Sequence, residues 1–139
     1  MVALAAGIKS YSRTFKSLPF PKLQLYTKAG KWVAENTPPD ASVAFIEVGY
    51  FGYHAQRKII DLVGLVTPGV SDQIRKRDFQ WAVKNYKPDY FIYNPEFKGW
   101  LEPTIDQPWF KEAYEKIMEL DHPGFPFSLI VFKKRLDFD

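Results

Sequence analysis

Hydrophobic residues along the chain follow helical spacing first and extended spacing afterwards. Apolar positions recur at helical intervals through Lys22–Asn36, which predicts an amphipathic helix with one buried stripe. The stripe consists of Leu25, Ala29, Trp32 and Val33. Residues 37–40 (TPPD) end this helix, because proline lacks an amide donor and disfavours helix before it. Residues 1–21 show no clear period and contain two prolines, which predicts a lead-in segment on the surface.

The next stretch predicts two strands joined by a glycine turn. Ser42–Val48 is mostly apolar and rich in β-branched residues, as expected for a strand covered on both faces in a parallel α/β sheet. Gly49 and Gly52 then bracket a tight turn and a short helix. The second predicted strand is Lys58–Leu62, with Asp61 near its C-terminal end.

Beyond this unit the pattern predicts alternating short helices and strands. Ser71 or Asp72 would cap a helical turn that ends at Arg77, and Asp78 is the predicted N-cap of another helix. The elements predicted after that are helix Phe79–Tyr86, strand Asp89–Tyr93, loop Asn94–Gln107, helix Pro108–Tyr114 and a C-terminal hairpin that includes Phe127–Lys134. Glu115–Asp121 fits either a continued helix or a strand.

The order of these elements predicts an α/β fold. We expect a three-layer, Rossmann-like domain with a mixed, mostly parallel sheet and a C-terminal β-hairpin. The chain has 139 residues, 46% of them hydrophobic, which suits one domain with a substantial core. We therefore expect residues 1–21 to form a lead-in segment and residues 22–139 a single α/β domain. No run in the sequence reaches the ~18 apolar residues that a membrane span needs.

Composition excludes few classes of function. The net charge of +3 is a weak basic bias without a recognition motif, so we predict no nucleic-acid partner. The chain contains no cysteine, which excludes disulfides, thiolate nucleophiles and cysteine-based zinc sites. We predict no metal ligand and no cofactor.

Acidic residues follow two neighbouring predicted strands. Glu47 and Asp61 would lie near the carboxyl ends of these strands, which is the edge where ligands bind in open α/β sheets. Around them we predict a ligand-binding set on this edge. It consists of Glu47, Gly49, Tyr50, Gly52, Tyr53, His54, Asp61, Gly64 and Thr67.

Glu47 admits two interpretations. It alternates with Val43 and Phe45, so its carboxylate lies on a core-facing side and needs a partner or access to the rim. It could act as a general acid or base with Asp61 or His54, or it could accept backbone amides of the following turn. We prefer the second, structural interpretation, because buried acids near turns need partners regardless of catalysis. Glu47, His54 and Asp61 could also hold a metal, but the sequence contains no motif with metal-ligand spacing.

Nucleotide binding is a weaker alternative. Gly49-x-x-Gly52 follows a strand, but the dinucleotide fingerprint requires a further glycine and an acid about 20 residues on, and Asp61 comes too early. The lysine-containing phosphate loop and the G-x-S-x-G nucleophile motif are both missing from the sequence.

Three motifs between residues 32 and 68 resemble those of a known family. Residues 29–68 resemble the region after the last membrane span of bacterial and archaeal GT-C membrane glycosyltransferases, relatives of the protein O-mannosyltransferases and aminoarabinose transferases. The resemblance rests on W-x-x-x-N-T-P-x-D-A at residues 32–41, E-x-G-x-x-G-Y at residues 47–53 and I-D-x-x-G-L-V-T-P at residues 60–68. The segment KPDYFIYNP at residues 87–95 and the final aromatic strand fit the same pattern, so it covers residues 22–135.

The resemblance implies a parent enzyme that transfers sugar from a polyprenyl-phosphate donor. The catalytic acid of such enzymes lies between membrane helices, so no catalytic residue carries over to this chain. Val2–Ile8 would be the stump of the last span, and the domain would lie on the extracytoplasmic face of the membrane. Its expected partners are the membrane-embedded part of the parent chain and a glycan or protein acceptor.

Two functions from different classes therefore stand. The preferred one is a non-catalytic extracytoplasmic domain of a membrane glycosyltransferase that recognises an acceptor or glycan, or packs on the membrane part. The alternative is a free-standing small α/β enzyme or ligand-binding domain with a site at Glu47, His54 and Asp61. A multi-span region encoded upstream of Met1 would support the first, and a start codon at Met1 the second.

Overall fold

The structure, a computed structural model, describes residues 20–136. Its elements in chain order are α1 Phe20–Asn36, β1 Ser42–Phe45, α2 Tyr50–Ala55, β2 Lys58–Asp61, α3 Val70–Arg75, α4 Trp81–Tyr86, β3 Tyr90–Tyr93, the 3-10 turn Pro95–Phe97, α5 Lys98–Ile105, α6 Pro108–Ala113, β4 Tyr114–Leu120 and β5 Leu129–Lys134. The predicted lead-in segment lies outside the described residues, except for Phe20 and Pro21, which begin α1. Within the described range, no helix combines the length and the apolar character needed to cross a bilayer.

The five strands form one mixed sheet in the order β2-β1-β3-β5-β4. β1 pairs in parallel with β2 and β3, whereas β5 pairs antiparallel with β3 and β4. The sheet thus has as many antiparallel pairings as parallel ones, and the prediction of a mostly parallel sheet is wrong. The C-terminal hairpin accounts for the difference, because β5 joins the sheet at β3 in the direction opposite to β1. The predicted hairpin itself is confirmed.

One face of the sheet is covered by α1 and α2. Val43 and Phe45 point to this face, where they pack against Leu25 and Val33 of α1. The two helices approach closely at Gly30, because a Cβ atom there would lie 2.7 Å from the carbonyl oxygen of Phe51. The helical stripe predicted for α1 is therefore confirmed as the side that faces the core.

The opposite face is covered by the helices between α3 and α6. Ala44 and Ile60 point to this side, where they join Val83 of α4 and Phe110 of α6 in a second buried cluster. Phe110 anchors the cluster by stacking on Tyr114 with a ring-centroid distance of 4.7 Å. Helices therefore cover both faces, so a ligand can reach the sheet only at the edges where its strands begin and end.

Several predicted boundaries differ from the structure. β1 ends at Phe45 rather than Val48, because its partner β2 ends opposite at Asp61. The stretch predicted as the loop Asn94–Gln107 contains the 3-10 turn and α5; Gly99 and Pro103 weaken its helical signal, and burial of Leu101 overrides that weakness.

Helix starts are the other corrections. Gly69, with φ of 78°, occupies the N-cap of α3, so the predicted caps Ser71 and Asp72 lie inside the helix. Asp78 does accept from the backbone N–H of Trp81 at 3.1 Å, although α4 begins at Trp81 rather than Phe79. The ambiguous segment after residue 114 is strand β4.

Candidate functional site

The strand order places a topological switch point between β1 and β3. From β1 the chain passes through α2 to β2 on one side, and from β2 it passes through α3 and α4 to β3 on the other side. The two connections also lie on opposite faces of the sheet. The direction of the connections therefore reverses outside the carboxyl ends of β1 and β3, at the kind of switch point where α/β sheets bind ligands; this place is called the crevice below.

Side chains from three segments meet at this crevice. Glu47 follows the end of β1, while Asn94 and Glu96 follow the end of β3. From α1, Tyr26 accepts a hydrogen bond from the Asn94 amide nitrogen at 3.0 Å, and the Lys22 ammonium lies 2.5 Å from a Glu96 carboxylate oxygen. The Asn94 side-chain oxygen in turn accepts the backbone N–H of Glu96 at 3.0 Å. Asn94 and Tyr26 are fully buried, so they form a fixed floor beneath the charged groups.

Glu47 is the half-buried acid of the crevice. No hydrogen bond from any residue between 20 and 136 reaches its carboxylate. Burial raises the pKa of Glu47 above the usual range, the charge of Lys22 lowers it, and the carboxylates of Glu96 and Asp61 raise it further. Among residues 20–136, Glu47 therefore does not accept backbone amides of the following turn, which was the preferred interpretation, and its carboxylate oxygens can accept hydrogen bonds from a ligand.

Charge and ring faces complete the local chemistry. The Lys22 ammonium lies 5.7 Å from the ring centroid of Tyr26 and 5.3 Å from that of Phe97, within cation–π range. Burial, with the carboxylates of Glu47 and Glu96, raises the pKa of the Tyr26 phenol, so this hydroxyl stays protonated at physiological pH. The crevice therefore offers two carboxylates and one ammonium above a neutral floor, which suits hydroxyl-bearing ligands.

Asp61 is a structural residue in this fold. It is fully buried, and its carboxylate accepts the backbone N–H groups of Val63 at 2.8 Å, Val66 at 3.0 Å and also Leu65. Its own N–H donates to the hydroxyl of Thr67 at 2.7 Å. Two predicted site residues, Asp61 and Thr67, therefore hold the loop after β2, and the role proposed for Glu47 belongs to Asp61.

His54 lies apart from these acids. It sits near the end of α2, its Cβ lies where a side chain on Gly30 of α1 would project, and its ring makes an edge contact with Tyr53. Across residues 20–136, no three histidine or acidic side chains gather as a group that could hold a metal. Glu47, His54 and Asp61 consequently do not form a joint metal cluster.

Of the three predicted site glycines, the backbone requires only Gly64. Gly64 has φ of +84°, and a Cβ there would lie 2.5 Å from the backbone nitrogen of Ser71, so only glycine fits this loop. Gly49 precedes α2 without any such constraint, and a Cβ on Gly52 would make only an ordinary contact with Ile59.

Exposed apolar side chains cluster in sequence after the parallel strands. Tyr50 and Tyr53 of α2 are 53% and 79% exposed, and Leu65 and Val66 of the Asp61-braced loop are 76% and 65% exposed. Trp100 of α5, after β3, is also exposed. Exposed rings and aliphatic side chains thus follow each of the three parallel strands in sequence.

The sequence prediction missed half of the crevice. Lys22, Tyr26, Asn94 and Glu96 were not recognised as site residues, because their proximity to Glu47 depends on β3 lying next to β1. One local signal was present: Asn94-Pro95 directly follows a strand, and the buried Asn94 side chain there caps the 3-10 turn.

Comparison with known proteins identifies the family alone. No curated protein and no solved structure matches the chain. Residues 17–135, nearly the entire chain, match a family described as a domain of unknown function (DUF8728). The chain therefore belongs to the DUF8728 family.

Proposed function

We propose that the chain is a non-catalytic, soluble extracytoplasmic domain of a polyprenyl-phosphate-sugar-dependent membrane glycosyltransferase, and that its crevice recognises a glycan or acceptor. One observation carries the binding role: Glu47 keeps a half-buried carboxylate, at the switch point of the sheet, to which no residue between 20 and 136 donates a hydrogen bond. The membrane glycosyltransferase context rests on the resemblance of residues 22–135.

The motif residues divide into two groups in this fold. Thr37 bonds back to the carbonyl oxygen of Val33, Asp61 and Thr67 hold the loop after β2, and Gly64 permits its backbone path. These positions are explained by folding alone. Glu47 and Tyr53 are not, since the first has no donor within the described chain and the second is 79% exposed. Motif positions that the fold does not need are the best candidates for recognition.

Sugar binding suits the crevice chemistry. Carboxylates at Glu47 and Glu96 accept hydrogen bonds from hydroxyls, and the Lys22 ammonium donates to ring or linkage oxygens. Exposed rings at Tyr50, Tyr53 and Trp100 can stack on the apolar faces of sugars. The helix-covered sheet with parallel order β2-β1-β3 supports a three-layer, Rossmann-like assignment, in which such a crevice is the customary site.

The membrane-embedded part of the same parent chain is the proposed partner. Leu65 and Val66 project from a loop that Asp61 holds rigid, so their exposure does not arise from a loose segment. A rigid apolar tip beside a polar crevice would orient the crevice towards the membrane helices on the extracytoplasmic face. Nucleic acid is not a proposed partner.

The alternative of a small enzyme at Glu47, His54 and Asp61 has less support. The Asp61 carboxylate is occupied by backbone amides of its loop, and His54 packs near α1. Glu47 alone remains available, and a single carboxylate without a positioned partner favours binding over acid–base catalysis.

An NMR binding screen on the ¹⁵N-labelled 139-residue chain tests the proposal. The probes are a panel of mono- and disaccharides and a short-chain polyprenyl phosphate. We expect saturable shifts at the amides of Glu47, Tyr53, Asn94 and Glu96, and loss of the response in Glu47→Gln and Glu96→Gln. Glu115→Gln is the matched control, because Glu115 is an exposed acid on β4.

Two results would overturn the proposal. One is a flat response to all the sugars and to the lipid phosphate. The other is a binding response that Glu47→Gln and Glu96→Gln leave intact, because the crevice would then not be the recognition site.

A further inference from the structure

A cavity lies between α4, α6 and β5, near the start of β3. Its volume is about 260 Å³. The backbone N–H of Lys134, which lines it, donates to the carbonyl oxygen of Asp89 at 2.8 Å, just before the start of β3. The crevice lies beyond the opposite end of β3, so the cavity is independent of the function proposed above. We propose that this cavity binds a small amphipathic anion: a carboxylate carried on an acyl chain or a single ring.

The walls of the cavity are apolar. Val83 and Ala113 are almost fully buried and contribute only aliphatic atoms. The polar atoms of the two aromatic lining residues are already used, because Trp109 Nε1 donates to Gln80 Oε1 at 3.1 Å and the Tyr114 hydroxyl donates to the carbonyl oxygen of Pro88 at 2.7 Å. Both rings therefore present hydrocarbon surface, which favours an apolar ligand body.

Three lysines provide all the charged side chains of the lining. They are Lys84, Lys87 and Lys134. No acidic residue lines the cavity, and none of the three lysines forms an ion pair with a residue in the 20–136 range. The Lys84 ammonium lies 5.2 Å from the ring centroid of Trp109, so its charge is held against the cavity wall. Unpaired positive charge on apolar walls is complementary to an amphipathic anion.

Lys87 is held in place by its backbone. Its φ of 43° lies in the left-handed region, and its N–H closes the end of α4 by donating to the carbonyl oxygen of Val83 at 2.9 Å. Glycine is the residue that occupies such a helix C-cap without strain. Lys87 adopts this conformation despite the strain, and it lines the cavity.

Titration of the ¹⁵N-labelled 139-residue chain with sodium octanoate, below its micelle concentration, tests the proposal. We expect saturable shifts at the amides of Val83 and Ala113 and at the indole N–H of Trp109. Octanol, which lacks the charge, and octyltrimethylammonium, which reverses it, should each bind about tenfold or more weakly, since charged hydrogen bonds are stronger than neutral ones.

Lysine variants assign the charge requirement. The double variant Lys84→Gln/Lys87→Gln should weaken octanoate binding about tenfold, as expected for two partly exposed ion pairs. Lys111→Gln, an exposed lysine on α6 outside the lining, should leave the affinity unchanged. Equal affinity for octanol, shifts that map away from the cavity, no saturable binding, or equal losses in the double variant and the control would each overturn the proposal.

Discussion

The ammonium of Lys22 lies 2.5 Å from a carboxylate oxygen of Glu96, and this ion pair joins the first helix to the turn after β3. Both side chains are partly buried, with exposed fractions of 20% and 36%. Both charges act on Glu47, because Lys22 lowers the pKa of Glu47 while Glu96 raises it. One cation thus serves two carboxylates, which leaves the crevice with an excess of negative charge for a ligand to satisfy.

Removing the cation should shift the titration of Glu47. Lys22→Gln is expected to raise the pKa of Glu47 further, because the charge of Lys22 lowers this pKa while burial and the carboxylates of Glu96 and Asp61 raise it. A ¹³C NMR titration of the Glu47 carboxyl measures this. Lys28→Gln is the control on the same helix, since Lys28 pairs with Asp121 instead. An unchanged pKa of Glu47 in Lys22→Gln would show that Lys22 does not interact with Glu47.

Asp61→Asn should destabilise the domain strongly. The Asp61 carboxylate accepts three backbone N–H groups. The variant replaces it with a neutral amide, whose N–H₂ group would face those donors. We expect a loss of about 3 kcal/mol in the free energy of unfolding, measured by denaturant titration. Asp72→Asn, an exposed acid on α3, should change stability by less than about 1 kcal/mol. Equal effects of the two substitutions would contradict the role of Asp61 in holding the loop after β2.

Arg57 closes the end of α1. Its guanidinium donates to the carbonyl oxygens of Ala34 and Thr37, both at 2.8 Å, and its Nε donates to the Thr37 hydroxyl at 3.1 Å. Arg57→Gln should cost about 2 kcal/mol and speed amide hydrogen exchange in the last turn of α1, because carbonyl groups at a helix end lose a cationic partner. Lys58→Gln, its exposed neighbour, should do neither. Equal amide exchange rates in the last turn of α1 in both variants would contradict this role of Arg57.

Gly30→Ala should separate α1 from α2. The new Cβ would lie 2.7 Å from the carbonyl oxygen of Phe51 and 2.8 Å from the Cβ of His54, so the helices must move apart. We expect a loss of about 2 kcal/mol, as for overpacked cores. Gly99→Ala is the matched control, because a Cβ there meets nothing within 4 Å and helix propensity should add about 0.5–1 kcal/mol. Thermal melts of both variants measure the difference, and a stabilised Gly30→Ala would contradict the packing.

Local patterns predicted the elements better than their arrangement. Hydrophobic spacing between residues close in sequence predicts the apolar stripe of α1, the strands β1 to β3 and the C-terminal hairpin. The position of β3 beside β1 depends on pairing between residues nearly 50 positions apart, such as Val43 and Tyr90, which no local pattern encodes. Helix α5 was missed because its burial, not its propensity, holds it together.

The candidate site shows the same division. Glu47 and Asp61 were identified from their positions after strands, but their roles could not be separated without knowing which donors surround each carboxylate. Asn94 and Tyr26 meet across 68 positions of sequence, so their contribution to the crevice required the fold.

The raised pKa of Glu47 gives stability a pH dependence of defined sign. With its pKa raised by burial in the folded state, Glu47 binds a proton more tightly there than in the unfolded chain. Its contribution to stability is therefore present below the ordinary glutamate pKa and is lost as pH rises through the folded-state pKa. Glu47→Gln removes this loss, so the variant should gain stability relative to the wild type as pH rises from 4 to 7.

The free energy of unfolding of Glu47→Gln at pH 7, measured by denaturant titration beside the wild type, is the most direct test. If the Glu47 carboxylate serves a ligand rather than the fold, the variant will be as stable as the wild type or more stable. A loss of about 2 kcal/mol or more, comparable with that of Asp61→Asn, would show that Glu47 is a structural brace after all and would remove the main reason for a binding site at this crevice.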